Sequence, residues 1–292
     1  MEIVESLKPL VPWPLKVAVK VVLSRLPLKN SFWKRVGIFV HGRMDKPEYA
    51  YEIFCKHFVR YSSMRPDGKA VSLELGPGDS LFSAIIAHAL GCAGTFLLDV
   101  GNYALKDLSI YREMETFLQK KGFPIPKPDE SPGLEGLLKV YSAKYLVEGL
   151  RSLRGIPNAS VDFIWSQHVL EHVRKAEFFD LMVELRRVLR PGGMCSHAVD
   201  LKDHMGFALN NLRFPESLWE SDFVARSGFY TNRIRFPEML HLFERAGFRP
   251  AVVSVNRWDR LPTPKGKLAK EFQSVSEADL RVSEFEVVLR PA

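Results

Sequence analysis

Cysteine is scarce in this sequence: Cys55, Cys92 and Cys195 are odd in number, widely spaced and form no CxxC pair. That excludes a disulfide-framed scaffold and a zinc centre of ordinary ligand spacing, so no metal site is expected, and it predicts free thiols in a reducing compartment. Long apolar runs are also missing. Nothing approaches the ~18 consecutive apolar residues of a membrane span, so a soluble chain is expected. There is no GxSxG turn, which argues against serine-hydrolase chemistry, and no internal repeat or low-complexity tract. The opening MEIVESLKPLVPWPLKVAVK has early acids and prolines, with lysines breaking its apolar run. It lacks the plan of a secretory signal, and a cytoplasmic location is expected.

What is present is ordinary globular material: 46% hydrophobic and 26% charged residues over 292 positions, enough for one large α/β domain with extensions. The net charge of +7 is concentrated rather than spread. Residues 1–43 carry eight Lys/Arg against Glu2 and Glu5, giving +6, and the rest is nearly neutral. A distributed nucleic-acid footprint is therefore not indicated. Within this basic start Leu15, Val19, Val22 and Leu26 share a helical face, while Lys16, Lys20 and Ser24 lie on another. Such a helix packs on the domain or lies at an anionic lipid surface, which would make the protein peripheral at the inner face of the membrane.

From residue 70 the pattern becomes alternating strand and helix: AVSLEL, a glycine turn, LFSAIIAHAL, then TFLLD. VDFIWS reads as a buried strand and EFFDLMVELRRVLR as a helix stopped by Pro191-Gly192-Gly193, with MCSHAVDL as the next strand. A helix near 236–246 and strands near 251–256 and 284–289 follow. GFPIPKPDESPGLE, residues 122–135, reads as a loop or insertion. This is the rhythm of a parallel sheet covered by helices. The predicted organisation is a helical N-terminal extension, 1–69, and one main domain, 70–292, with insertions near 103–150 and 203–235.

Glu74-Leu75-Gly76-Pro77-Gly78-Asp79-Ser80 takes a strand into a glycine turn and a helix, which lets backbone pass close to a ligand at the carboxyl edge of a sheet. Ser80 stands where a dinucleotide fingerprint would have its third glycine. Asp99, about 20 residues on at a strand end, can accept hydrogen bonds from both hydroxyls of a ribose, or it can cap a helix.

The order ELGPGDS, LLDVG, PNASVDFIWSQHVLEHV and LRRVLRPGG resembles the class I S-adenosylmethionine-dependent methyltransferases, the type 11 group in particular, over about residues 70–200. The resemblance implies a three-layer Rossmann-like α/β sandwich, its seven-stranded sheet mostly parallel with an antiparallel last strand. It implies S-adenosyl-L-methionine as cofactor, with Gly76 and Gly78 along its methionine and ribose and Glu74 orienting the loop and its amino group. Asp99 would hold the ribose diol and Val100 would lie against adenine. Ser166, Gln167 and His168 would sit near the transferable methyl, with Leu170 and His172 bracing the turn. Many relatives place an acid after the third strand to bind the adenine amino group; here Leu150 stands there, and Glu148 is a shifted substitute.

Methyl transfer to a hydroxyl needs a positioned base, and a histidine titrating near ~6.5 suits neutral pH. Candidates are His168, His197, Asp200, Asp203 and His204, all at or beyond the carboxyl ends of strands four and five. Asn210, Asn211, Arg213, Trp219, Arg226, Tyr230, Asn232 and Arg233 could bind a sugar or form the polar surface of an insertion. SHAVDLKDH, LNNLRF and WESDFVARSGFYTNRIR look like bacterial methyltransferases found with polysaccharide and glycolipid biosynthesis, which implies a glycan or small hydroxylated acceptor. RNA or protein methylation and a non-catalytic cofactor-binding scaffold are the alternatives.

Overall fold

The computed structural model describes residues 43–64, 69–126 and 133–292. The basic helix expected around Leu15–Leu26 lies outside the described residues. Where an apolar strand is covered on both faces it reads as a continuous hydrophobic run, and β1 (Val71–Leu75) buries four of its five residues for this reason. In chain order there follow α2 (Phe82–Ala89), β2 (Gly94–Leu98), α3 (Leu108–Lys120), α4 (Gly133–Val140), β3 (Ala143–Leu146), α5 (Leu150–Arg154) and β4 (Val161–Gln167). Then come α6 (Lys175–Val188), β5 (Leu189–Asp200), α7 (Phe236–Arg245), β6 (Phe248–Arg257) and β7 (Val282–Pro291). An earlier helix, α1 (Pro47–Ser62), precedes the sheet and lies on it.

The sheet has the order β3-β2-β1-β4-β5-β7-β6. Strands β1 to β5 pair in parallel, and β7 runs antiparallel to both β5 and β6. This is the expected seven-stranded Rossmann-like sandwich. The order reverses at β1 and β4, the switch point at whose carboxyl side such sheets open a ligand crevice. Two apolar layers form the core. On one face Leu73, Ile164 and Val199 meet Phe178 and Met182 of α6 and Phe243 of α7. On the other, Leu97, Phe163 and Trp165 meet Phe54 and Tyr61 of α1 together with α2 and α3. Phe54 stands edge-on to Trp165, with ring centroids 5.5 Å apart.

Two local expectations change. Pro191-Gly192-Gly193 does not separate a helix from a strand: β5 already begins at Leu189, and the three residues lie inside it, where the pairing with β4 shifts register. A Cβ at Gly193 would stand 2.7 Å from the Asp162 carbonyl oxygen, so only glycine lets the two backbones approach this closely. The loop expected over 122–135 is shorter at its end, since Gly133 already starts α4. Among the described residues no helix is long and apolar enough to cross a membrane.

Candidate functional site

The carboxyl edge of the sheet carries two different constructions side by side. Over β1 and β2 the turn is made of backbone. Gly76 and Gly78 both have φ +65°, a region that disfavours side chains. A Cβ at Gly76 would stand 2.7 Å from Val169 Cγ2, whereas at Gly78 it would meet nothing within 4 Å. Gly76 thus permits packing against the turn after β4, and Gly78 faces open space. Asp99, largely buried at the end of β2, accepts from Gly78 N at 3.0 Å through one carboxylate oxygen and from Val100 N at 2.7 Å through the other. These two bonds fix the carboxylate plane, and a carboxylate has about four acceptor positions, so both oxygens can accept again.

Beneath the turn, Glu74 is 3% exposed and its Oε2 has no hydrogen-bond partner. Burial pushes this carboxyl up to about 8, with Asp99 adding to the rise. An orphaned buried acid of this kind awaits a cation or a donor. A buried acid with one unsatisfied oxygen, an open glycine and a clamped carboxylate fit an adenosyl amino acid cofactor, and Glu74, Gly78 and Asp99 are the residues that could hold it. Val100 is 76% exposed beside them.

Over β4, β5 and β7 the edge is made of side chains. His168 follows β4 with φ +54°, a conformation histidine adopts more readily than most residues but at a cost of about 1–2 kcal/mol. Its Nε2 lies 3.1 Å from Glu284 Oε1, with Gln167 Nε2 approaching at 3.0 Å. The hydrogen bond from His168, helped by Lys202, holds the Glu284 carboxyl down at about 2. Lys202 Nζ sits 3.2 Å from Asp200 and 3.5 Å from Glu284. One residue pair further into the sheet, Lys56 Nζ of α1 donates to both Gln167 Oε1 and Glu286 Oε1 at 2.9 Å, and Arg60 also pairs with Glu286. His57 bridges Ser196 Oγ and Gln167 Oε1, and burial drives it down to about 3, so it is a neutral strut.

Several expected residues take other places. Ser166 is fully buried and its Oγ is engaged by His197 Nδ1 at 2.7 Å, so any ligand contact there falls to its backbone. Gln167 turns its amide to α1. His197 is wholly buried and burial lowers it to about 3, which removes it as a base. Asp203 accepts from the backbone of Met205, Gly206 and Asn210 and is a loop cap. Asp200 is buried and gives Oδ1 to Lys202 N and Nζ, which makes it a holder of Lys202. His204 stacks edge-on against His172 at 4.8 Å, and His172 Nδ1 bonds the Tyr230 carbonyl at 3.0 Å.

The amide, aromatic and arginine set of 210–233 is mostly interior rather than presented to a sugar or to solvent. Trp219 Nε1 donates to Thr231 O, Asn211 Nδ2 to Thr231 Oγ1, Asn232 Nδ2 to Leu170 O and Val173 O, and Arg233 Nη1 to Phe214 O. Buried backbone carbonyls need donors, and these side chains supply them.

Glu284, Glu286, Lys56 and Glu171 belong to the same edge without having been singled out from the sequence. Glu284 and Glu286 were foreshadowed by SEFEVV, where two acids share one face of an otherwise apolar strand. Glu171 is 1% exposed, neither carboxyl oxygen has a hydrogen-bond partner, and burial with nearby Asp200 pushes its pKa well up.

A Rossmann-like sheet with this strand order, a glycine turn after β1 and an acid ending β2 defines a class I nucleoside-cofactor fold. The comparisons narrow the class. Residues 73–196 match the family model described as a methyltransferase domain. Over those residues, less than half of its length, the chain carries a methyltransferase domain. It is similar in chain trace to an S-adenosylmethionine-dependent methyltransferase of Mesorhizobium loti, with 19% identity, 80% of this chain and 97% of that one covered, and a TM-score of 0.43. For one from Archaeoglobus fulgidus the values are 13%, 84%, 94% and 0.41. No curated protein matches the sequence.

Proposed function

We propose that this chain transfers a methyl group to a hydroxyl oxygen of a small polyhydroxylated metabolite or glycan, with His168 as the base. The observation that carries the reading is the His168–Glu284 pair, held on a left-handed residue at the carboxyl end of β4. Glu284 Oε1 and the Gln167 amide both meet Nε2, which holds the imidazole against rotation and leaves Nδ1 clear of these two contacts. When bound, S-adenosylmethionine supplies an electrophilic methyl on a sulfonium. Glu74 would receive its ammonium, Gly78 would leave room for it, and Asp99 would take the two ribose hydroxyls. His168 would accept the proton that the acceptor hydroxyl loses as its oxygen bonds the methyl, and Glu284 would stabilise the imidazolium. The interior position of the 210–233 amides leaves acceptor recognition to the edge around His168, Lys202 and His204.

The test has two stages. Calorimetric titration with S-adenosylhomocysteine, with NAD as control, should show micromolar binding of the first alone. Turnover on a panel of hydroxylated acceptors should then fall about 100-fold or more in His168→Gln while product binding is unchanged. Unaltered turnover in that variant would remove His168 as the base.

A further inference from the structure

Helix α1 lies ahead of residues 73–196, the stretch that matches the methyltransferase domain, yet it reaches the carboxyl edge with three side chains. Lys56 Nζ and His57 Nε2 both meet Gln167 Oε1, at 2.9 Å and 3.1 Å, while Arg60 Nη1 and His57 Nδ1 both meet Ser196 Oγ, at 3.0 Å and 2.8 Å. Lys56 is itself anchored by Glu286 of β7 at 2.9 Å.

Hydrogen-bond polarity settles which way the Gln167 amide points. An ammonium has three donors and no acceptor, so the atom facing Lys56 has to be the carbonyl oxygen. His57 imposes no such choice: a neutral imidazole presents either a donor or an acceptor at Nε2, and the Ser196 hydroxyl answers in either sense. Of these contacts, only Lys56 fixes the amide. With Oε1 turned to α1, the amide nitrogen is turned to His168, 3.0 Å from Nε2, and it can only donate. On the same ring nitrogen stands Glu284 Oε1 at 3.1 Å, which when ionised can only accept. His168 Nε2 thus lies between a donor and an acceptor. Bare, it accepts from Gln167; carrying a proton, it donates to Glu284. A lysine holds each arm, Lys56 the amide and Lys202, 3.5 Å from Glu284 Oε2, the carboxylate.

We infer that Lys56 of α1 is a positioning residue for His168: by fixing the Gln167 amide it gives Nε2 a donor opposite the Glu284 acceptor, so the ring is held in one place whether that nitrogen is bare or protonated. The inference deepens the reading of His168 as the base and rests on it. The ring has no need to turn when it gains or loses a proton, which removes a reorganisation step from the transfer. The tautomer of the neutral ring, on which the basicity of the clear Nδ1 depends, becomes a balance between the two arms.

The experiment is NMR of the His168 ring nitrogens in the full chain, made with isotopically labelled histidine and recorded with the ring neutral, the signals being assigned by their loss in His168→Gln. In Lys56→Met the amide is free to turn its oxygen to His168, and the ratio of the Nε2–H to the Nδ1–H form should rise about 2- to 10-fold, the net worth of one hydrogen bond. Gln167→Leu should also raise it, and adding Lys56→Met to that variant should change nothing further. Thermal melting checks that the variants fold. A folded Lys56→Met with the parental ratio would overturn the inference, and so would a further shift in the double variant. These signals do not depend on turnover: unaltered turnover in His168→Gln would remove the base and leave the measured hold of Lys56 on the ring standing.

Discussion

The two halves of the carboxyl edge solve the problem of holding a ligand by opposite means. The β1–β2 half uses backbone: two glycines in left-handed conformation, a carboxylate clamped by two amide N–H groups, and one buried acid with an oxygen left unsatisfied. The β4–β5–β7 half uses charge: Lys56, Arg60 and Lys202 interleaved with Glu284, Glu286 and Asp200, and a histidine set between them. A backbone cradle suits a ligand that never changes, and its geometry is written in a few adjacent residues. A side-chain array can be altered one residue at a time without disturbing the strands beneath it, which suits the half proposed to face the acceptor.

If the division holds, substitutions on the two sides should separate binding from turnover. The largest effect is expected for Asp99→Ala, which removes the proposed acceptor of the ribose hydroxyls and also frees the N–H groups of Gly78 and Val100; S-adenosylhomocysteine binding should weaken at least about 100-fold by calorimetry. A variant that binds like the parent would break the comparison. Next is Glu284→Gln, which keeps the shape beside His168 but removes the charge that would steady its protonated ring. Turnover should fall about 10- to 100-fold with product affinity retained, and product affinity lost along with turnover would break the comparison.

The smallest effect is a proton count. With its pKa at about 8, Glu74 is mostly protonated at pH 7 in the free protein, and it ionises when it meets an ammonium. Cofactor binding at pH 7 should therefore release close to one proton, read as a binding enthalpy that changes with the ionisation enthalpy of the buffer, and Glu74→Gln should abolish that dependence. The same carboxyl bears on stability. Its folded pKa lies above its unfolded one, so its contribution is intact below the ordinary carboxylate range and is lost as pH rises towards 8, which makes the ligand-free protein weaker at alkaline pH than the bound one.

The contrast also explains what could be read from the sequence. Gly76, Gly78 and Asp99 were legible because a strand, a turn and the next strand end lie within about 25 residues, and fixed spacing carries the geometry. The sheet was legible for a similar reason, since each strand is a buried apolar run. The charged half was not, because Lys56 and Gln167 lie 111 residues apart and His168 and Glu284 116; the packing of α1 on the sheet joins the first pair and the placement of β7 beside β5 the second. The sequence could name His168 but not its partner. The polar residues of 210–233 misled in the other direction, because amides and arginines that satisfy buried carbonyls look in one dimension like those that bind sugar.

Strand β7 is made after β1 to β6 yet occupies an interior position in the sheet. A nascent chain that has made β1 to β6 still has an open slot beside β5, with its unpaired edge exposed and Lys56, Arg60 and His168 lacking their acids. The charged half of the edge is thus tied to the making of β7: chains that lack it have the glycine cradle but not the acids beside Lys56 and His168, and the slot waiting for β7 is where another chain's strand could insert during folding.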